Sequence, residues 1–405
     1  MFLGLPQKVA YVAPWFASFE ERFAKLSSGP IKVAYFYESQ DSSTFRYRVY
    51  NMVETLNSAP DEFSAAFFTL DDLTAMNRVI SAADILVLCR VRYTDIINNM
   101  ILQARAKGCK VFYDIDDLIF DTEYAHLVIN TLGEELSDKM WNRFFAYMSR
   151  LGTVMKLCDG VIVTNRQLAV CANEYSGLNT HVAPNFLNDA QLNLSRQLYM
   201  IKKEDNFKRD ETIHVGYFSG SPTHNRDFSI VLPALVHLLQ HNKRVKLRLG
   251  GYLEAPELEQ FSDRIEKFPM QDFMNLQLLQ AKTEVNLVPL QSNLFTDCKS
   301  DLKYFEAAIV GTITVASPAF AYKESIKDGT NGFLASDQDW ENQIDAAIYK
   351  VDESSCRSDL SSRDDSSTSN SGYATMAECA YADSENRYSS SAQLPILRSI
   401  FQRSF

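Results

Sequence analysis

Between Asp297 and Ser317 the chain has to pass from a polar loop into a short helix and then into a buried strand. Ser300 or Asp301 can cap the helix, Leu302, Phe305, Glu306 and Ile309 recur at helical spacing, Gly311 stops it, and Ile313 to Ala316 reads as a strand. The same alternation runs through most of the chain. Strands are expected at Ile31 to Tyr37, Phe67-Phe68, Ile85 to Leu88, Lys110 to Asp114, Cys158 to Asn165, His181 to Asn185, Ile213 to Phe218, Val245 to Leu249 and Val285 to Leu290, with helices between them. That interval predicts an α/β protein with doubly wound, parallel, Rossmann-like sheets. Lys299, Lys303 and Glu306 gather beside the start of the 302–309 helix, where free backbone N–H groups and the helix dipole favour a phosphate. A nucleoside diphosphate is therefore the first ligand expected.

With 405 residues, two domains are expected, each with its own core. We expect a first domain over residues 1–187, a polar linker over 188–211 and a second domain over 212–350. A serine-rich tail over 351–405, expected to be disordered or aberrant, completes the chain. Its composition raises the possibility of a reading frame shifted relative to its ancestors. A net charge of −11 leaves no basic surplus to replace phosphate counterions, which argues against nonspecific nucleic-acid binding. The seven cysteines contain no Cys-x-x-Cys pair and no histidine at zinc spacing, which suits buried thiols in a cytoplasmic protein. No stretch reaches the ~20 apolar residues of a membrane span.

In the first domain, Asp41, Ser42 and Ser43 follow a strand as competent caps, and Arg46 and Arg48 fall in the first helical turn. Arginines oppose the helix dipole there, so they either meet an anionic partner or pair with surface carboxylates. Asp114, Asp116, Asp117 and Asp121 crowd the end of another strand. Such a cluster has to be solvated, to cap helices, or to answer a cation or a substrate hydroxyl. Residues 137–157 pattern as an amphipathic helix, either packing on the core or lying on the inner face of a membrane.

The second domain opens with a strand ending in the Gly/Ser/Pro loop Ser219-Gly220-Ser221-Pro222, after which His224 and Arg226 precede a helix. Small residues there let a phosphate approach the backbone. Further on come Phe268-Pro269-Met270, the central stretch and a turn at Asp328 to Leu334.

The order of these features resembles the family 4 retaining glycosyltransferases of the GT-B fold, the glycosyl transferases group 1. Glu306-Ala307-Ala308 with Gly311 and Val315-Ala316-Ser317 match the second half of the donor-site motif, whose first glutamate position is Cys298 here. The resemblance runs through most of residues 31 to 350. It implies two Rossmann-like domains facing across a cleft, and transfer of a sugar from a nucleotide-sugar to a saccharide or lipid-linked hydroxyl acceptor with retention, without cofactor or metal. The metal-binding Asp-x-Asp of other glycosyltransferases is the lesser reading of Asp114 and Asp116. By this resemblance Lys299, Ser300, Lys303, Arg226, Gly220 and His224 hold the diphosphate, Glu306 the ribose, and Phe268 and Met270 the base. Asp116 or Asp117 positions the acceptor, with Ser43 and Arg46 beside it. Two rival readings remain at this stage: a nucleotide-sugar-binding protein without turnover in a polysaccharide assembly complex, and a nucleotide-sugar epimerase.

Overall fold

The computed structural model describes residues 2–41, 43–131, 136–220, 225–251, 253, 255–353 and 372–402. Two six-stranded sheets, every pairing parallel, form two lobes. The first contains β1 (Ile31–Phe36), β2 (Phe63–Phe68), β3 (Ile85–Cys89), β4 (Lys110–Ile115), β5 (Gly160–Val163) and β6 (Thr180–Val182), in the order β2-β1-β3-β4-β5-β6. The second contains β7 (Ile213–Ser219), β8 (Val245–Gly251), β9 (Ile265–Phe268), β10 (Val285–Val288), β11 (Ile313–Ala316) and β12 (Phe333–Leu334), in the order β12-β11-β10-β7-β8-β9. Strands such as β3, β5, β10 and β11 are buried along their whole length, as expected where helices cover both faces. In each sheet the order reverses once, between β1 and β3 and between β7 and β10, and such reversals open a crevice at the carboxyl ends of the strands.

Residues 188–211 are not the irregular linker that their polarity suggests. Asn188 caps a helix, Asp189–Glu204, by accepting from Gln191 N–H. Its buried stripe is Gln191, Leu192, Ser195, Leu198, Tyr199 and Lys202, half of it polar, so a search for apolar periodicity passes over it. Lys202 lies at 1% exposure, donating to the carbonyls of Val310 and Gly311 at 2.8 Å each, and caps the C-terminal end of the 302–308 helix. Gly311 takes φ +65 there, and a Cβ on it would meet the ring of Tyr199 at 3.0 Å.

The tail is likewise more ordered than its serine content implies. Helices Gly372–Tyr388 and Ser390–Phe401 run back across the molecule. Tyr373 donates to the carbonyls of Glu284 and Gly311, Ser384 to that of Phe305, while Arg398 grips Glu62 of the first lobe at 2.6 Å and Phe401 packs edge-on to Phe112. These two helices return the chain to the first lobe, while residues 354–371 lie outside the described residues.

Candidate active site

A cavity of about 250 Å³ lies between the lobes, at the crevice of both sheets. Ser43 and Thr44 after β1, Arg46 and Tyr47 of the next helical turn, and Asp116 after β4 line it from the first lobe. Phe218, Ser219 and Gly220 at the end of β7, Gly250 and Gly251 of β8, Met270, and Leu302, Lys303 and Glu306 of the central helix line it from the second. Gly251 is needed where it stands: at φ +85 a Cβ would sit 1.9 Å from the Ser219 carbonyl oxygen. That close approach ties the β7 loop to β8 beside the cavity.

On the first-lobe side the four carboxylates of the Asp114–Asp121 run divide among three places. Asp114 takes a bidentate pair of 2.8 Å contacts from fully buried Arg48. Asp121 caps the turn that follows it, accepting from Glu123 N–H at 3.0 Å. Asp116 and Asp117 both reach Arg90, at 3.0 and 3.5 Å, and the other oxygen of Asp116 accepts from Thr44 at 3.0 Å. Arg90 sits at the end of β3 with φ +49, an uncommon conformation for a residue with a side chain, and so aims its guanidinium at Asp116. Of the two aspartates only Asp116 lines the cavity.

On the second-lobe side, Lys303 follows Leu302 into the cavity, and burial lowers its pKa to about 8 against the attraction of Asp227. Glu306 lies one turn further along and is 2% exposed. Its Oε1 accepts from Arg46 at 3.3 Å, from Gln191 at 3.2 Å and, in a very short contact, from the Tyr47 hydroxyl. Gln277 bonds the Glu306 carbonyl at 2.9 Å. Both lobes and the connecting helix thus meet in one buried polar network on the cavity wall. Arg46 and Arg48, expected to await an anion or to pair at the surface, pair instead with buried carboxylates.

Several expected residues take other places. Arg226 is exposed and Lys299 turns its ammonium over the Phe295 ring at 4.6 Å; neither lines the cavity. The Ser300 hydroxyl is buried outside it, and Asp301, rather than capping the helix through its side chain, bonds Ser325 and Tyr388. Phe268 lines a neighbouring hollow with Arg248 and Lys282, whereas Met270 borders both spaces. His224 lies outside the described residues. Cys298 is fully buried, its Sγ 3.9 Å from Cys171 of the first lobe, and does not line the cavity. Thr44, Tyr47, Arg90, Gln191 and Gln277 were not singled out by sequence; only the position of Tyr47 between two expected arginines could have suggested it.

Two parallel-sheet lobes facing across such a cavity define the GT-B fold. Residues 213–352, almost the whole of the second lobe, match the family Glycosyl transferases group 1. Three solved structures illustrate the likeness. Anabaena HepE (Alr3699) in complex with UDP and glucose aligns at 14% identity and TM-score 0.55, covering 92% of this chain and 99% of that one. A glycosyltransferase from Rickettsia africae aligns at 10% and 0.57, covering 92% and 98%. Sucrose-phosphate synthase from Thermosynechococcus elongatus aligns at 13% and 0.55, again covering 92% and 98%. At these identities the likeness establishes the fold. No curated protein matches the sequence.

Proposed function

We propose that the chain is a glycosyltransferase that moves a sugar from a nucleotide-sugar, bound to the second lobe, to a hydroxyl acceptor presented by the first, with retention of configuration. The observation that carries this reading is the cavity itself, which sets Gly220 and Lys303 opposite Asp116. A diphosphate there meets Gly220 and the Lys303 ammonium, which stabilises the negative charge that grows as the glycosyl bond breaks. Asp116, held by Arg90 and Thr44, orients the incoming hydroxyl. Glu306 is assigned to the donor side, where its hydrogen bonds to Tyr47 and Arg46 couple occupancy of the donor site to the set of the lobes.

The acceptor is proposed to be a saccharide or lipid-linked saccharide, in surface polysaccharide or glycolipid synthesis on the cytoplasmic side. Support for a peripheral membrane contact comes from the helix Asp138–Lys156, whose outer half exposes Met140 and Phe145 near Lys139 and Arg143. Among the described residues no helix is long and apolar enough to cross a membrane. The alternative, a nucleotide-sugar-binding protein without turnover, draws support from the way Arg46, Tyr47 and Gln191 already occupy Glu306 Oε1.

Incubation with a panel of nucleotide-sugars and hydroxyl acceptors, beside thermal-shift measurements on the same panel, tests the proposal. Transfer that needs both donor and acceptor is expected. Binding without transfer selects the alternative, product from donor alone an epimerase, and neither binding nor transfer removes the nucleotide-sugar reading.

A further inference from the structure

Cys298 marks a place where the second lobe plugs into the first. It follows the short helix Leu294–Asp297, and with Phe295 it is buried in the apolar cluster of the first lobe. There it meets Cys171 of the first-lobe helix Arg166–Ser176, sulfur to sulfur at 3.9 Å. Cys89, Cys109 and Cys158 instead turn their Sγ toward oxygens, at 3.8, 3.7 and 3.3 Å. The two backbones are held in register. Asn165, which caps the Cys171 helix, donates through Nδ2 to the carbonyls of Asp297 at 3.2 Å and Lys299 at 2.9 Å, the two neighbours of Cys298. Closing the sulfurs to a bond of about 2.05 Å takes about 2 Å of travel, shared between two side chains.

The two thiols are unequal. The Cys298 S–H donates to Cys171 and, with a smaller contribution from Gln167, draws that thiol below its ordinary value against its own desolvation; the same contact, with burial, raises Cys298. Cys171 keeps 7% exposure and Cys298 none, so an oxidant arriving from solvent meets the more acidic thiol first. An acidic thiol with a second thiol in reach is the arrangement in which oxidation ends in a disulfide.

We propose that Cys171 and Cys298 form a redox latch, which a hydroperoxide closes by oxidising them to a disulfide that pins the two lobes together. The Cys171 thiolate attacks the O–O bond of hydrogen peroxide and keeps one oxygen as a sulfenic acid, while the other oxygen leaves as water after taking up a proton. Cys298 then attacks the Cys171 sulfur, and its proton departs with the sulfenic oxygen as a second water. Two thiols and one peroxide thus give one disulfide and two waters, with two electrons passing from sulfur to oxygen; a dithiol reductant returns them. A cleft held at one width exchanges its nucleotide more slowly. That consequence for turnover rests on the glycosyltransferase reading above, whereas the latch does not.

The test treats the reduced full chain, Cys171→Ser and Cys298→Ser with hydrogen peroxide. Free thiols are then alkylated, and peptide mapping without reduction is set beside thermal unfolding. The parent is expected to lose two hydrogens and to yield a peptide pair joined through Cys171 and Cys298. Because the bond spans 127 residues, the oxidised parent should melt about 5 °C higher, and dithiothreitol should reverse the gain. Cys298→Ser is expected to stop at a sulfenic acid on Cys171 that dimedone traps, with no gain in melting temperature, and Cys171→Ser to leave Cys298 reduced. A parent in which both thiols survive while peroxide reacts elsewhere overturns the inference, and so does a cross-link that leaves the melting temperature unchanged or lower. Both results come from the parent alone, so they stand even if a serine variant fails to fold. A latch that closes in a chain without transfer activity removes the glycosyltransferase reading only, and transfer without a latch removes this inference only.

Discussion

Replacing Arg46 with Met should loosen the joint between the lobes, and the structure fixes by how much. The Arg46 and Glu306 side chains are 5% and 3% exposed, and Glu306 Oε1 collects Arg46, Tyr47 and Gln191. Arg46 also bonds Gln191 at 2.7 Å and lies over the rings of Tyr47 and Phe273 at 4.0 and 4.7 Å. Taking away one partner of a buried ion pair costs about 3–5 kcal/mol, because the other charge stays buried. For 405 residues the entropy of unfolding is roughly 0.9 kcal/mol/K, so Arg46→Met should melt about 4–6 °C below the parent in scanning calorimetry. The double variant Arg46→Met/Glu306→Gln leaves no uncompensated charge and should recover about half of that loss or more. A single variant within about 1 °C of the parent would refute the reasoning, as would a double variant whose loss equals the sum of the two singles.

Asp116→Asn is predicted to lower transfer about 10²-fold or more while leaving the donor dissociation constant unchanged; a matching loss of donor binding would place Asp116 on the wrong side of the cavity. The buried carboxyl of Glu284 resists its own desolvation and is held down to about 2, chiefly by hydrogen bonding to His214. A depressed carboxyl stabilises the fold above its unfolded value of 4.5 and loses that contribution as pH falls toward 2, here about 3 kcal/mol. Urea midpoints between pH 4.5 and 2.5 should fall less for Glu284→Gln than for the parent, and equal falls would contradict the assignment. Cys298→Glu is predicted to cost several kcal/mol by burying a carboxylate beside Cys171, without gain in turnover. A variant as stable as the parent and more active would mean that position 298 faces the donor after all.

Most of the fold was legible because parallel strands buried on both faces are written as short apolar runs, and β1, β3, β4, β7, β10 and β11 all read so. What escaped were helices whose buried faces are polar. Gln191, Ser195 and Lys202 in the connecting helix, and Tyr373, Ser384 and Tyr388 in the tail, make hydrogen bonds in the interior that a hydropathy pattern scores as surface. The site divides along similar lines. Residues fixed by regular elements, such as Lys303 and Glu306 in a helix or Gly220 at a strand end, fall where spacing puts them. Lys299 and Arg226 lie at the edges of elements, where one turn of the backbone decides whether a long side chain enters the cavity, and here it does not. Arg90 and Gln191 draw their places in the network from partners brought near by the fold, and nothing local in the sequence marks them.

The account turns on a diphosphate held by Lys303 between the lobes, and calorimetric titration of nucleoside diphosphates into the parent and Lys303→Met at pH 7 and pH 9 tests it most directly. Burial brings Lys303 to about 8, so its charge is largely present at the lower pH and largely lost at the higher. Affinity of the parent should therefore fall roughly tenfold between the two, while Lys303→Met should bind weakly and equally at both. A parent that binds no nucleoside diphosphate, or a Lys303→Met variant that matches it at pH 7, would contradict the central claim.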